Sequence, residues 1–136
     1  MTDMELCSLA IQAMEHSYSP YSDYRVGAAL LTADGTVYTG CNIENASYTP
    51  TICAERTAIF KAVSDGVRQF TAIAIAGGKD GVITGSFPPC GVCRQVMAEF
   101  CTPDFTVFVV TGMDTFTRYT LGDLLPAGFG PDHLRD

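Results

Sequence analysis

Two short stretches constrain this chain more than any others: Cys53-Ala54-Glu55-Arg56 and Pro89-Cys90-Gly91-Val92-Cys93. Together they offer three thiols and one carboxylate, and each stands where a helix is expected to open. The unpaired N–H groups and partial positive charge of a helix N-terminus favour thiolate over thiol. Cys90 and Cys93 can turn both sulfurs toward one metal, whereas Cys53 joins them only through the fold. Zinc held by three cysteines keeps a fourth position for water, an arrangement built for reaction rather than for scaffolding.

Glu55 decides between these uses. A carboxylate in a first helical turn is worth about 0.3–1 kcal/mol as a simple N-terminal charge. Beside an open zinc position it can also take a proton from water and pass it on. Three thiolates on Zn²⁺ leave a formal charge of −1, which Arg56 and Arg94, adjacent to the ligands, are placed to offset. The alternative for each arginine is a surface ion pair; for Arg56, in an otherwise apolar helix, the metal role is preferred. Three plainer readings compete. A structural four-cysteine zinc module needs a fourth ligand from Cys7, Cys41 or Cys101, none of which has a partner at ligand spacing. A thioredoxin-like redox pair leaves Cys53-Ala54-Glu55 without a task. Six inert core cysteines do not explain why three stand at helix starts.

Composition narrows the setting. The 136 residues are 47% hydrophobic and 17% charged, which excludes a disordered chain and suits one domain over 1–136 with one core. No run reaches membrane-spanning length. Met1 to Glu5 lacks a basic signal-peptide region, so a cytoplasmic protein with reduced cysteines is expected. A net charge of −7 without a basic cluster argues against a nucleic-acid backbone as partner but leaves small nucleosides open.

Along the chain, Thr2 and Glu5 form a capping box ahead of a helix to about His16. Tyr18-Ser19-Pro20-Tyr21-Ser22 breaks it. Tyr24 to Thr32 and Thr36 to Cys41 read as a hairpin turning at Asp34-Gly35. Asn42-Ile43-Glu44-Asn45 follows at the strand end, where ligand groups and turn-satisfying groups are equally expected. The second helix runs from about Thr51 to Gly66 with almost no polar face, which implies cover from a partner chain. Phe70 to Ala76 reads as a buried strand, Gly77 to Phe87 as a flexible connection and Gly91 to Cys101 as a third helix. Two strands, Phe105 to Thr111 and Phe116 to Thr120, precede a short helix at Leu121 to Leu125 and a Gly/Pro-rich tail. This order predicts an α/β fold, a three-layer α/β/α sandwich with a mixed five-stranded sheet.

The chain resembles the short, homotetrameric cytidine deaminases over nearly its whole length. The resemblance rests on Tyr24-Arg25-Val26-Gly27-Ala28-Ala29, Gly40-Cys41-Asn42-Ile43-Glu44-Asn45-Ala46-Ser47-Tyr48, Cys53-Ala54-Glu55-Arg56-Thr57-Ala58, Pro89-Cys90-Gly91-Val92-Cys93-Arg94-Gln95, and Leu124-Leu125-Pro126 with Phe129. It implies one zinc per subunit on Cys53, Cys90 and Cys93, with Glu55 as proton shuttle in hydrolytic deamination of cytidine and 2′-deoxycytidine, a pyrimidine-salvage reaction. It also implies Asn42 and Glu44 on the ribose hydroxyls, Tyr24 against the base and the Ala54 N–H on the pyrimidine carbonyl. Tyr48 and Phe129 would reach a neighbouring subunit's site. An ordinary strand aromatic remains the alternative for Tyr24, and a tail anchor for Phe129. Two departures bear on the pocket: Pro88 stands where the family more often has Ser or Thr, and the 77–87 connection is long. A blasticidin-S-type deaminase shares the zinc motifs but not the Asn42–Asn45 segment, and a zinc-stabilised interaction module is the non-enzymatic alternative.

Overall fold

The computed structural model describes residues 1–135; the last residue of the expected 1–136 span lies outside the described residues. Five strands form one sheet in the order β2-β1-β3-β4-β5. They are β1 (Tyr24–Thr32), β2 (Val37–Cys41), β3 (Phe70–Lys79), β4 (Thr106–Val110) and β5 (Phe116–Thr120). The β3–β4 pair is parallel and the other pairs are antiparallel, so the sheet is mixed, as expected. A parallel pair needs a crossover, and the segment through α3 (Gly91–Phe100) supplies it.

Helix α1 (Asp3–Ala13) lies on one face. Its capping box is formed: Thr2 Oγ1 accepts from the Glu5 N–H at 3.1 Å, and Glu5 accepts from the Thr2 N–H at 3.3 Å. Leu6, Cys7, Ala10 and Met14 pack there against Ala29, Ala74 and Phe108. On the opposite face α2 (Ala54–Ser64) and α3 cover Leu30, Ile73, Ile75, Val107 and Val109. The sheet alternates its side chains between these two clusters, and both layers are apolar because both faces are covered.

The expected elements are present, with shifted ends. β3 continues through Gly77 and Gly78 to Lys79, where the sequence suggested the start of a connection. Pairing with β1 decides this, since Gly77, Gly78 and Lys79 stand opposite Val26, Arg25 and Tyr24. Helix α2 begins only after Cys53. Cys101 sits just past α3 with extended backbone and is half-buried, as is Cys41, while Cys7 is fully buried. A short helix α4 (Leu121–Leu124) and a 3₁₀ turn at Pro131–Leu134 end the described chain. Among the described residues no helix is long and apolar enough to cross a membrane.

Two glycines set how closely the layers approach. A Cβ on Gly27 would stand 2.6 Å from the Met14 nitrogen, and one on Gly40 would stand 2.5 Å from the Ala54 oxygen and 2.6 Å from the Ala58 nitrogen. Gly40 thus brings β2 against the first turns of α2, the helix that carries Cys53 and Glu55. Backbone cannot yield as a flexible side chain does, so Gly40→Ala is expected to cost about 3 kcal/mol. Denaturant unfolding would read this as a lower midpoint with an unchanged slope.

Candidate active site

Helices α2 and α3 each begin with a cysteine in the capping position. Cys53 (φ −77°, ψ 156°) and Cys90 (φ −69°, ψ 168°) have the extended backbone of a cap, yet neither side chain makes a capping bond to the N–H groups of its first turn. A serine or aspartate there would accept from the first turn. The sulfurs instead turn toward one another: Cys53 Sγ lies 3.7 Å from Cys90 Sγ, and Cys90 Sγ lies 3.5 Å from Cys93 Sγ. Among the described residues these three make the one cluster of ligand side chains with metal-binding geometry, all within 4.8 Å of one another.

The spacing fits zinc. Tetrahedral bonds of about 2.3 Å require sulfurs about 3.8 Å apart. The surroundings fit the negative charge of such a centre as well. Arg56 donates from Nη2 to Cys53 Sγ at 3.4 Å, while its buried Nε–H has no other partner. Arg94 does something different from the expected charge offset. Its Nε and Nη1 donate to the carbonyls of Pro89 and Leu124, both at 2.7 Å, and it makes no ion pair among the described residues. The thiols share their protons unequally. Donation from Cys93, helped by Arg56 and Cys90, overcomes burial and pulls the Cys53 thiol down to about 5, while Cys93 is pushed up.

Glu55 lies in the first turn of α2 and is 3% exposed. Burial, reinforced by the charge on Cys53, pushes its carboxyl up to about 7 against the opposing pull of its own backbone N–H. A carboxyl balanced near neutrality can both accept and return a proton.

A cavity of about 310 Å³ opens beside these groups, lined by Ser22, Tyr24, Val26, Asn42, Ile52, Cys53, Ala54, Glu55, Phe87, Pro88 and Cys90. A larger one, about 420 Å³, lies between the end of α3 and the tail, but the thiol cluster and the buried carboxyl are not part of it. Ala54, at the first position of α2, carries an N–H with no partner within the helix. The Tyr24 ring lies 5.8 Å from that of Phe87, which in turn sits over Gly77.

The polar wall is built by the 17–24 segment. Asn42 Oδ1 accepts from the Val26 N–H at 2.9 Å and from Ser17 Oγ, and its Nδ2 donates to the Tyr24 carbonyl at 2.8 Å. One amide N–H is thereby left for a ligand. Glu44 Oε1 accepts from the Tyr21 and Ser22 N–H groups at 3.0 and 3.1 Å, and Oε2 accepts from Ser22 Oγ. These donors hold the carboxyl below the usual carboxylate range, with Ser22 Oγ foremost. Reciprocal hydrogen bonds between Ile43 and Ile52, both 3.0 Å, fold this segment back beside the start of α2.

Glu55, Cys53, Cys90, Asn42, Tyr24 and Ala54 thus line one cavity, with Cys93 buried beside Cys90 and Glu44 fixed on Ser22. Tyr48 and Phe129 do not line it. Tyr48 is 72% exposed and meets Tyr21 edge-on, and Phe129 is 55% exposed and stacks on His133. Ser17, Ser22 and Phe87 were not singled out from sequence. The run from Tyr18 to Ser22 reads only as a helix break, with Ser17 just before it, though a Pro flanked by small polar residues also describes a loop with hydroxyls to spare.

A thiol triad at two helix starts, with a buried carboxyl and an open pocket beside them, defines a zinc-dependent hydrolase of the deaminase type. Comparison with known proteins agrees: the sequence model described as "Cytidine and deoxycytidylate deaminase zinc-binding region" matches residues 1–109. The chain is 50% identical over 123 residues to a cytidine deaminase of Sporosarcina psychrophila, covering 90% of this chain and 88% of that one. It is 49% identical to the cytidine deaminase of Halalkalibacterium halodurans, covering 93% of each. Among solved structures, cytidine deaminase from Burkholderia pseudomallei superposes with a TM-score of 0.87 at 46% identity, covering 95% of this chain and 100% of that one. The Mycobacterium tuberculosis cytidine deaminase does so with a TM-score of 0.80 at 38% identity, covering 96% and 99%. The chain belongs to the cytidine deaminase family, and zinc is its cofactor.

Removing the Ser22 hydroxyl takes away the foremost donor to Glu44, so Ser22→Ala is expected to raise the Glu44 pKa toward the ordinary carboxylate value. Carboxyl-carbon NMR titration reads this shift directly.

Proposed function

We propose that this enzyme converts cytidine and 2′-deoxycytidine to uridine and 2′-deoxyuridine with release of ammonia. The observation that carries the reading is the buried Glu55 carboxyl beside three converging thiols, with Glu55, Cys53 and Cys90 lining one pocket. The relatives named cytidine deaminase support the substrate class.

Cys53, Cys90 and Cys93 would hold the zinc, whose Lewis acidity would make water nucleophilic near neutral pH. Glu55 takes one proton from the attacking water and delivers it to ring N3 as the C4–O bond forms. It then takes the remaining hydroxyl proton and gives it to the amino nitrogen. The C4–N bond breaks, ammonia leaves, and N3 keeps the first proton in the uridine product. The Ala54 N–H, left free by its place in the helix, donates to the pyrimidine carbonyl. Tyr24 packs on the base. Asn42 offers its spare N–H to a ribose hydroxyl, and Glu44, kept ionised by the Ser22 loop, accepts from one.

The whole chain acts as one domain, in a cytoplasmic homotetramer serving pyrimidine salvage. The exposed Tyr48 and Phe129 side chains and the exposed Phe60 on α2 support assembly, because side chains of this size are suited to cover by a neighbouring subunit.

Zinc-loaded protein should consume cytidine with loss of the substrate's ultraviolet absorbance. Glu55→Ala should keep its zinc and lose on the order of 10³-fold in kcat. Zinc binding without turnover of cytidine or 2′-deoxycytidine overturns the proposal, and turnover of blasticidin S alone replaces its substrate. Light scattering should give four chains per particle; any other number overturns the tetramer.

A further inference from the structure

The connection that delivers Cys90 to the metal is poorly tied to the rest of the fold. Among the described residues, 83–89 makes no backbone–backbone hydrogen bond to any other segment. Two consecutive prolines, Pro88 and Pro89, explain part of this, because neither has an N–H to donate. The only polar handles left on the approach to Cys90 are carbonyls. Arg94 takes the last of them: its Nε donates to the Pro89 oxygen at 2.7 Å, the single hydrogen bond to 83–89 among the described residues. Pro89 is fully buried, so this peptide has no water to turn to instead.

Holding the Pro89 carbonyl fixes the plane of the Pro89–Cys90 peptide, and with it the direction in which the Cys90 side chain leaves the backbone. The other end of the guanidinium, Nη1, is anchored on the Leu124 carbonyl at the end of α4. One rigid fork therefore spans two segments that no backbone bond connects, and its geometry requires a planar group with donors on two nitrogens.

We propose that Arg94 is the positioning residue for the Cys90 arm of the zinc centre, bracing the Pro89–Cys90 peptide against α4. The inference rests on Cys90 being a zinc ligand, a point that Cys90→Ala tests separately through its zinc content. Arg94 touches neither substrate nor metal in this role. Its effect is on how long the metal is held.

The experiment is competition for zinc by a chromogenic chelator with purified, zinc-loaded enzyme, at a temperature well below the melting point of every variant. Arg94→Met is expected to lower zinc affinity roughly 10-fold or more, the range typical of groups that orient metal ligands. Arg94→Lys keeps the charge but not the fork, and is expected to fall between Met and wild type. Gln95→Ala is the control: it removes the neighbouring tie to the tail, a 2.8 Å bond to the Phe129 carbonyl, without touching the Pro89 peptide, and its zinc affinity should match wild type. Affinity within twofold of wild type in both Arg94 variants overturns the proposal. So does an equal loss in Gln95→Ala, which would mean that general loosening of the tail is responsible. Failure of Cys90→Ala to lose zinc would instead refute the ligand assignment beneath it.

Discussion

Everything at the reactive end of this molecule depends on two helices beginning at the same point. A helix start is electropositive and short of hydrogen-bond acceptors, and an ordinary cap would satisfy it locally. Here Cys53 and Cys90 occupy the capping positions without bonding back, so their sulfurs are free to face each other and Cys93. The helix ends then stabilise thiolate on the metal rather than their own first turns. The arrangement trades some local helix stability for a preorganised anionic cluster, and the sheet beneath keeps the two starts in register.

Around that cluster the charges are arranged by burial. Arg56 lies against Cys53, and Glu55 on the next position is sunk far enough to hold its proton near neutrality. Glu44 receives the opposite treatment, with three donors from one loop keeping it ionised. Two carboxyls beside one cavity are pushed in opposite directions by their surroundings, and the roles proposed for them, proton shuttle for one and acceptor for the other, rest on that difference.

Local signals carried much of this in the sequence. The Thr2/Glu5 capping box, the Asp34-Gly35 turn and the two cysteine motifs are each read within a few residues, and each is realised. Contacts between distant segments were less visible. Gly77 and Gly78 look like loop because glycine has weak strand preference, yet their pairing with Val26 and Arg25 keeps them in β3. Arg94 looks like a charge for the metal because it follows Cys93; its actual partners, Pro89 and Leu124, are carbonyls that no sequence pattern marks. Ser22 was passed over for the same reason, since its partner Glu44 lies 22 residues away.

The parallel pairing of β3 and β4 also has a kinetic consequence. β3 reaches β1 by way of the 42–69 segment and α2, and β4 is laid down parallel to β3 only when the 80–105 segment has closed over the sheet. Closing such a loop must be completed before its contacts repay it, so this step belongs late in folding. Cys90 and Cys93 travel on that second crossover, and Cys53 opens the helix of the first. With zinc on these three cysteines, as proposed, metal capture would require both crossovers to be closed, and a chain halted before then would present its cysteines as unguarded thiols.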